Sequence, residues 1–183
     1  MTPSAPNPAA GENISFRRLS RADLPRLVEW LARPHVAEWW GTPSAADDVE
    51  LEYGPIVDGS GPHHAYVALQ GGAPIGFIQS YAPAACHDEG WWLDEHDPGV
   101  RGIDQFLIDG TRLGQGLGTA MIRAFVSSLF ADSSVTRIQT DPEPGNFRAI
   151  RCYEKAGFRA VREVVTLDGP ALLMYQDRPE AAP

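Results

Sequence analysis

Residues 100–126, VRGIDQFLIDGTRLGQGLGTAMIRAFV, constrain the fold more than any other stretch of the chain. An extended run comes first, with Ile103, Gln105 and Leu107 on one side and Asp104, Phe106 and Ile108 on the other. Gly114, Gly116 and Gly118 follow at alternate positions, and beyond them Met121, Ile122, Phe125, Val126, Leu129 and Phe130 recur at helical spacing. The chain must pass from a strand through a glycine turn into a helix starting near Gly116 to Thr119. Such a junction is an anion site, because the first helical N–H groups lack carbonyl partners and the helix dipole points the same way. Neither the Walker pattern, with its Gly-Lys-Ser/Thr, nor a G-x-G-x-x-G beside the first strand is present. Small residues also serve tight helix–strand packing, so the loop alone leaves its cargo open.

The flanking segments alternate strands and helices. ISFRRLS reads as a strand, after which Ser20 caps a helix whose Leu24, Leu27, Val28 and Leu31 form one apolar stripe before Pro34. HVAEWWG and ADDVELEYGPIV read as short helices, HHAYVAL and PIGFIQSYA as a hairpin around Gly-Gly, and CHDEGWWLDEHDPG as a polar loop. RIQTD is a strand, NFRAIRCYEKAG a helix ended by Gly157, and FRAVREVVTL with PALLMYQ a closing strand pair. A chain of 183 residues with 43% hydrophobic content can bury one core of ordinary size. A single domain over residues 14–177 is expected, with disordered tails at 1–13 and 178–183.

The formal net charge of −9 repels nucleic acid and anionic membranes and suits a polycationic small molecule, although solubility alone can explain it. No stretch has the unbroken apolar length of a membrane span, and MTPSAPNPAAGEN lacks the basic start and apolar middle of a signal peptide, so a cytoplasmic protein is expected. Cys86 and Cys152 show no CxxC or metal-ligand spacing and read as reduced, Cys152 as core. His63 and His64 diverge on a strand and His87 has no spaced partner, so no metal is expected.

The glycine loop resembles the acyl-CoA pyrophosphate loop of the GNAT superfamily of N-acetyltransferases, Gln/Arg-x-x-Gly-x-Gly/Ala. Alignment on Gly116 and Gly118 keeps the loop directly after the strand but puts Leu113 where the family has Gln or Arg; Gln115-x-x-Gly118-x-Ala120 also satisfies the pattern. NFRAIRCYEKAGF is similar to the family's N-x-x-A-x-x-x-Y-x-x-x-G-F helix, with Asn146, Ala149, Tyr153, Gly157 and Phe158 in place. The resemblance implies an α/β (α+β) fold with a mixed, mostly antiparallel central sheet of about six to seven strands and about four helices. It implies acetyl-CoA as donor, aligned along Phe106, Leu107 and Ile108, with its pyrophosphate over Leu113, Gly114, Gln115, Gly116, Leu117, Gly118 and Thr119. Asn146 and Tyr153, about two helical turns apart, would face the donor arm, Tyr153 protonating the departing thiolate.

Within that superfamily, HVAEWWG, PIGFIQSY, GWW, DPGVRGIDQ, LGQGLGT, IQTDPEPGNFRAIRCYEKAGF and DGPA look most like the aminoglycoside 6'-N-acetyltransferases. An aminoglycoside carries several ammonium groups on sugar rings, so its site needs carboxylates and flat aromatic faces. Glu89, Asp104 and Asp141 supply the first near strand ends, Trp40, Tyr53 and Trp91 the second, and Asp168 is a rim candidate. Each has a plainer reading: Asp141-Pro142 starts a turn, Asp168-Gly169 is a hairpin signal, and tryptophan pairs pack cores. Asp104 is the expected base that takes a proton from the bound ammonium, and a backbone N–H of its strand the expected oxyanion donor. Transfer is expected to be direct and the protein a monomer. Two rival readings remain: acetylation of a lysine-like or siderophore-precursor amine, which would not need three carboxylates, and a non-catalytic CoA- or drug-binding module, which would not need a thiolate acid.

Overall fold

The computed structural model describes residues 13–41 and 44–179. Seven strands form one sheet: β1 (Ile14–Arg18), β2 (His63–Gln70), β3 (Ala73–Tyr81), β4 (Val100–Leu107), β5 (Arg137–Thr140), β6 (Arg159–Thr166) and β7 (Gly169–Asp177). Their order is β1-β2-β3-β4-β5-β7-β6. All neighbours pair antiparallel except β4 and β5. Five α-helices accompany them among the described residues: α1 (Leu24–Leu31), α2 (Pro34–Ala37), α3 (Ala46–Val57), α4 (Leu117–Phe130) and α5 (Phe147–Ala156). The segments read as helical in the sequence account for all five, where the family resemblance implied about four; HVAEWWG supplies α2, a separate single turn begun by Pro34 at its first position.

The helices divide between the two faces of the sheet according to strand alternation. Phe77 and Phe106 point to one face, where Leu27, Leu31, Val36, Val49 and Tyr53 of the first three helices cover them. Ile78 and Ile103 point to the other, against Ile122, Phe125, Val126 and Tyr153 of α4 and α5. The side assignment read from residues 103–108 therefore holds: Ile103 and Leu107 contact the α4 side, Phe106 and Ile108 the α1–α3 side.

Ser20 caps a 3-10 turn (21–23) that leads into α1, its backbone N–H and hydroxyl both donating to Asp23 at 3.0 and 2.6 Å. The hairpin of β2 and β3 turns through Gly71 and Gly72 as its sequence requires. Much of the two terminal segments expected to be disordered lies outside the described residues, but Arg178 does not belong with them. Its backbone N–H donates to Thr136 O at 2.9 Å and its guanidinium to Phe130 O, Asp132 O and Val135 O. Among the described residues no helix is long and apolar enough to cross a membrane.

One glycine decides where a functional ring sits. A Cβ on Gly102 of β4 would meet the Tyr81 ring at 2.0 Å, so only the bare backbone lets that ring lie across the strand. Gly102→Ala is expected to lower the unfolding free energy by about 1–3 kcal/mol or more in denaturant titration; an unchanged midpoint would show that Tyr81 has room to move.

Candidate active site

β4 and β5 pair only where Val100–Gly102 faces Arg137–Gln139, and β4 then runs on to Leu107 without a partner on that side. One hydrogen bond shows which backbone groups face the resulting gap. Ile108 donates its N–H to Ile75 O at 2.9 Å, and alternate residues of an antiparallel ladder bond to the facing strand. Ile108, Phe106 and Asp104 therefore bond toward β3, while Leu107, Gln105 and Ile103 turn their N–H and C=O into the gap. His35 Nε2 lies 2.9 Å from Leu107 O, which places the ring proton on that nitrogen.

The structure separates the expected donor-arm residues. Of Phe106, Leu107 and Ile108, Leu107 turns its backbone to the gap; Phe106 also lines the cleft, and the Ile108 carbonyl accepts from Arg33. Gln105, not among the donor-arm residues expected from sequence, lines the cleft beside them.

The glycine loop closes one end of the gap. Gly116, at φ +84°, caps α4 in the left-handed conformation, and the first helical bond runs from Ala120 N–H to Gly116 O at 3.0 Å. The N–H groups of Leu117, Gly118 and Thr119 precede that ladder, the arrangement at a helix start that suits an anion. A Cβ on Gly118 would lie 3.2 Å from Cys152 Sγ, and Thr119 Oγ1 is 3.4 Å from the same sulfur, so α4 and α5 meet here without intervening bulk. Two loop side chains turn away: Leu117 is buried and Gln115 Nε2 donates to Thr111 O at 2.8 Å.

A cleft of about 460 Å³ runs from this loop along β4, lined by Leu113, Gly114, Gly116, Gly118 and Thr119 on one side and His35, Trp39 and Trp40 on the other. Asn146, Arg148, Arg151 and Lys155 of the α5 segment complete it. Asn146 is above all the N-cap of α5, its Oδ1 accepting from Ala149 N–H at 3.0 Å. Tyr153 is buried, 4% exposed, and is hydrogen-bonded to Thr140 on β5. Burial first, then the nearby charge of Asp104, push its phenol far up, so it stays protonated and able to donate.

The carboxylates gather on the opposite side of the gap. Asp104 faces Gln79 across the ladder and accepts from its Nε2 at 3.1 Å. Burial drives the Asp104 carboxyl up; the Gln79 amide and a protonated His63 pull it down, and Asp168 raises it. Asp141, one residue beyond β5, is pushed up to about 8 by burial and by the charges of Asp104 and Asp168. Asp168 occupies the exposed β6–β7 turn, so its hairpin role and its electrostatic role coexist.

The aromatic candidates separate. Trp40 lines the cleft edge-on to Phe106, at 4.9 Å between centroids. Tyr53 does not wall a pocket: it is fully buried, and its hydroxyl accepts from Trp40 Nε1 at 3.0 Å, so it holds Trp40. Trp91 and Trp92 roof a second cavity of about 370 Å³ above Gln139, Leu173 and Tyr175. Trp92 adopts φ +51°, a strained conformation for a bulky residue, and donates its indole N–H to Tyr81 OH at 3.1 Å. Glu89, 46% exposed at its side chain, lies 3.1 Å from His63 Nε2. Cys86 Sγ lies 3.8 Å from that nitrogen, a histidine neighbour that sequence spacing gave no sign of; burial and Glu89 push its thiol up to about 11, away from nucleophilic use.

The family model for GNAT acetyltransferase domains matches residues 20–166. The chain belongs to the GNAT acetyltransferases. It is similar to an aminoglycoside N(6')-acetyltransferase type 1 from Klebsiella pneumoniae, 49% identical over 92% of this chain and 85% of that protein. A kanamycin resistance protein from Rhizobium radiobacter is 61% identical over 48% of this chain and 82% of its own length. The crystal structure of an aminoglycoside acetyltransferase with coenzyme A and kanamycin superposes with a TM-score of 0.85 at 50% identity, covering 91% of this chain and 95% of that one.

Against this GNAT frame, the basic residues of the donor cleft stand out as missed. Arg148, Arg151 and Lys155 recur at i, i+3 and i+7, so one face of α5 is cationic in a chain of net charge −9. That spacing was the available signal, hidden by the acidic total.

The raised carboxyls carry a stability consequence. The folded chain holds a proton on Asp141 where an unfolded carboxyl of ordinary value 3.8 has lost it, so stability falls as pH climbs from about 4 through about 8. Asp141→Asn is expected to flatten that decline and to be more stable than the parent above about pH 8, by more than about 1.4 kcal/mol, the equivalent of one pK unit. Denaturant unfolding across pH measures it, and parallel curves for the two proteins would contradict it.

Proposed function

We propose that this protein transfers the acetyl group of acetyl-CoA to the 6'-amine of aminoglycoside antibiotics and thereby confers resistance to them. The observation that carries this reading is the convergence of Asp104, Asp141 and Asp168, whose mutual repulsion, with burial, raises the pKa of Asp141 beside an unpaired strand edge. A polycation relieves that repulsion, whereas a single-amine acceptor leaves most of it in place. The relatives' names and the kanamycin complex point the same way.

Acetyl-CoA supplies an activated thioester. The N–H groups at the start of α4, with Arg148, Arg151 and Lys155, match its phosphates in charge, and the backbone of Gln105 and Leu107 can hydrogen-bond the amide-bearing arm. An ammonium has no lone pair to attack with, so Asp104 must first accept its proton, directly or through water. Burial raises the basicity of Asp104, and Gln79 fixes its orientation. Nitrogen then bonds to the carbonyl carbon while an N–H of the open β4 edge stabilises the oxyanion. As the carbon–sulfur bond breaks, the neutral phenol of Tyr153 delivers a proton to the thiolate, and the nitrogen, becoming an amide, sheds its second proton through water to restore the phenol, while Asp104 releases the first to solvent. No cysteine intervenes. The reading also places the enzyme in the cytoplasm as a monomer.

Thiol release from acetyl-CoA in the presence of kanamycin tests the proposal: turnover is expected, and none would refute it. Asp104→Asn is expected to lower kcat by about 10²–10⁴ while the acetyl-CoA Kd stays within a few-fold; equal losses in both would remove Asp104 as base. Kanamycin binding at neutral pH is expected to release protons, since bound ammonium groups lower the raised carboxyls. Calorimetry in buffers of different ionisation enthalpy reads this directly, and a buffer-independent heat would contradict it.

A further inference from the structure

Three side chains, one of them the acceptor candidate Glu89, meet at the start of β2. His63 Nε2 lies 3.1 Å from Glu89 Oε2 and 3.8 Å from Cys86 Sγ, and all three ligand atoms lie within 4.8 Å of one another. They come from positions 23 and 26 residues apart in sequence, which is why spacing alone gives no sign of them. Among the described residues this is the one such group of His, Cys and carboxylate side chains.

We propose that His63, Cys86 and Glu89 form a zinc-binding site beside the acceptor carboxylates. Zinc takes thiolate sulfur at about 2.3 Å and imidazole nitrogen or carboxylate oxygen at about 2.0–2.2 Å, so tetrahedral ligand atoms stand roughly 3.3–3.6 Å apart. The two spacings to His63, 3.1 and 3.8 Å, bracket that range, and the third pair, Cys86 with Glu89, lies within 4.8 Å and closes by rotation of the exposed Glu89 side chain. A thiolate and a carboxylate together neutralise the dication, and the imidazole binds as a neutral donor. On binding, the Cys86 thiol proton leaves to solvent and the sulfur–metal bond replaces it.

The surroundings hold the ligands in place. Cys86 joins two 3-10 turns (83–85 and 87–89), the second of which ends in Glu89. His63 pairs with Tyr81 across the β2–β3 ladder, and its ring packs on the Tyr81 ring at 5.5 Å with a 31° tilt. Cys86 is buried, whereas the side chains of His63 and Glu89 are 25% and 46% exposed. The buried sulfur therefore anchors the ion from within, and the fourth position opens to solvent, as in sites with three protein ligands and one exchangeable water. Cys152, on α5, has no histidine or carboxylate in a comparable group.

The test is a Co²⁺ and Zn²⁺ titration of the full, reduced, chelator-treated chain, with readouts independent of acetyl transfer. One equivalent of Co²⁺ is expected to bind and to produce a near-ultraviolet thiolate-to-cobalt charge-transfer band that Zn²⁺ abolishes by displacement. Cys86→Ser should remove the band, Cys152→Ser should retain it, and His63→Ala should weaken Co²⁺ binding by at least about tenfold, since even partners behind the ligands cost that much. Should a variant fail to fold, mass-mapped alkylation of the unaltered protein decides: Zn²⁺ is expected to protect Cys86 and leave Cys152 unchanged. Absence of stoichiometric binding, Co²⁺ binding without the band, a band that survives in Cys86→Ser, or equal alkylation of Cys86 with and without Zn²⁺ would each overturn the site.

Discussion

Everything in this enzyme depends on where the pairing of β4 and β5 stops. Three residue pairs hold the strands together, and past Gly102 and Gln139 they part. An unpaired strand edge is normally a liability, because its N–H and C=O groups invite another strand. Here the edge is covered by α2, whose His35 binds the Leu107 carbonyl, and by α5 across the gap, leaving a channel in place of an open template. Two opposite electrostatic environments then face each other: helix N–H groups and α5 cations on one side, raised carboxyls on the other. The short paired segment keeps them close without letting them neutralise one another.

Under the proposed function, that separation would let a chain of net charge −9 hold a polyanionic donor and a polycationic acceptor at once. The donor meets backbone dipoles and a cationic helix face, neither of which shows in the charge total. In the proposed function the acceptor would meet carboxyls that burial has raised. Asp104 belongs to this second group and lies on β4, so on that reading one residue would join binding of the amine to its activation.

Much of this was legible in the chain. Alternation along residues 103–108 assigned each side chain to its face, helical spacing placed α4 to within a residue or two of its start, and Gly71-Gly72 marked the hairpin. The glycine loop and the α5 pattern gave the family because both are local signals, set by what a helix start and a helix face demand. What the sequence did not show was non-local. Whether Gln105 or Phe106 offers backbone to the gap depends on which edge bonds to β3, and no local pattern contains that. Tyr53 reads as a ring walling the acceptor pocket, yet its helix buries it against Phe77, where its hydroxyl accepts from Trp40. Arg178 reads as tail because its four carbonyl partners lie about 40 or more residues upstream. His63 and Cys86 likewise meet only after β2, β3 and the turns beyond them have formed.

The left-handed Trp92 gives the acceptor side its mechanical character. A bulky residue stays at φ +51° only when its surroundings hold it, and here Tyr81, lying across Gly102, anchors the indole. The roof over Gln139 is thus tied through two rings to the centre of the sheet. It is ordered before any ligand arrives, so little conformational entropy remains to be lost on binding. A wall that cannot retreat also discriminates by shape. Under the proposed function, acceptors that differ by one ring substituent would be sorted there by steric fit, independently of the charge pairing that would draw all of them in.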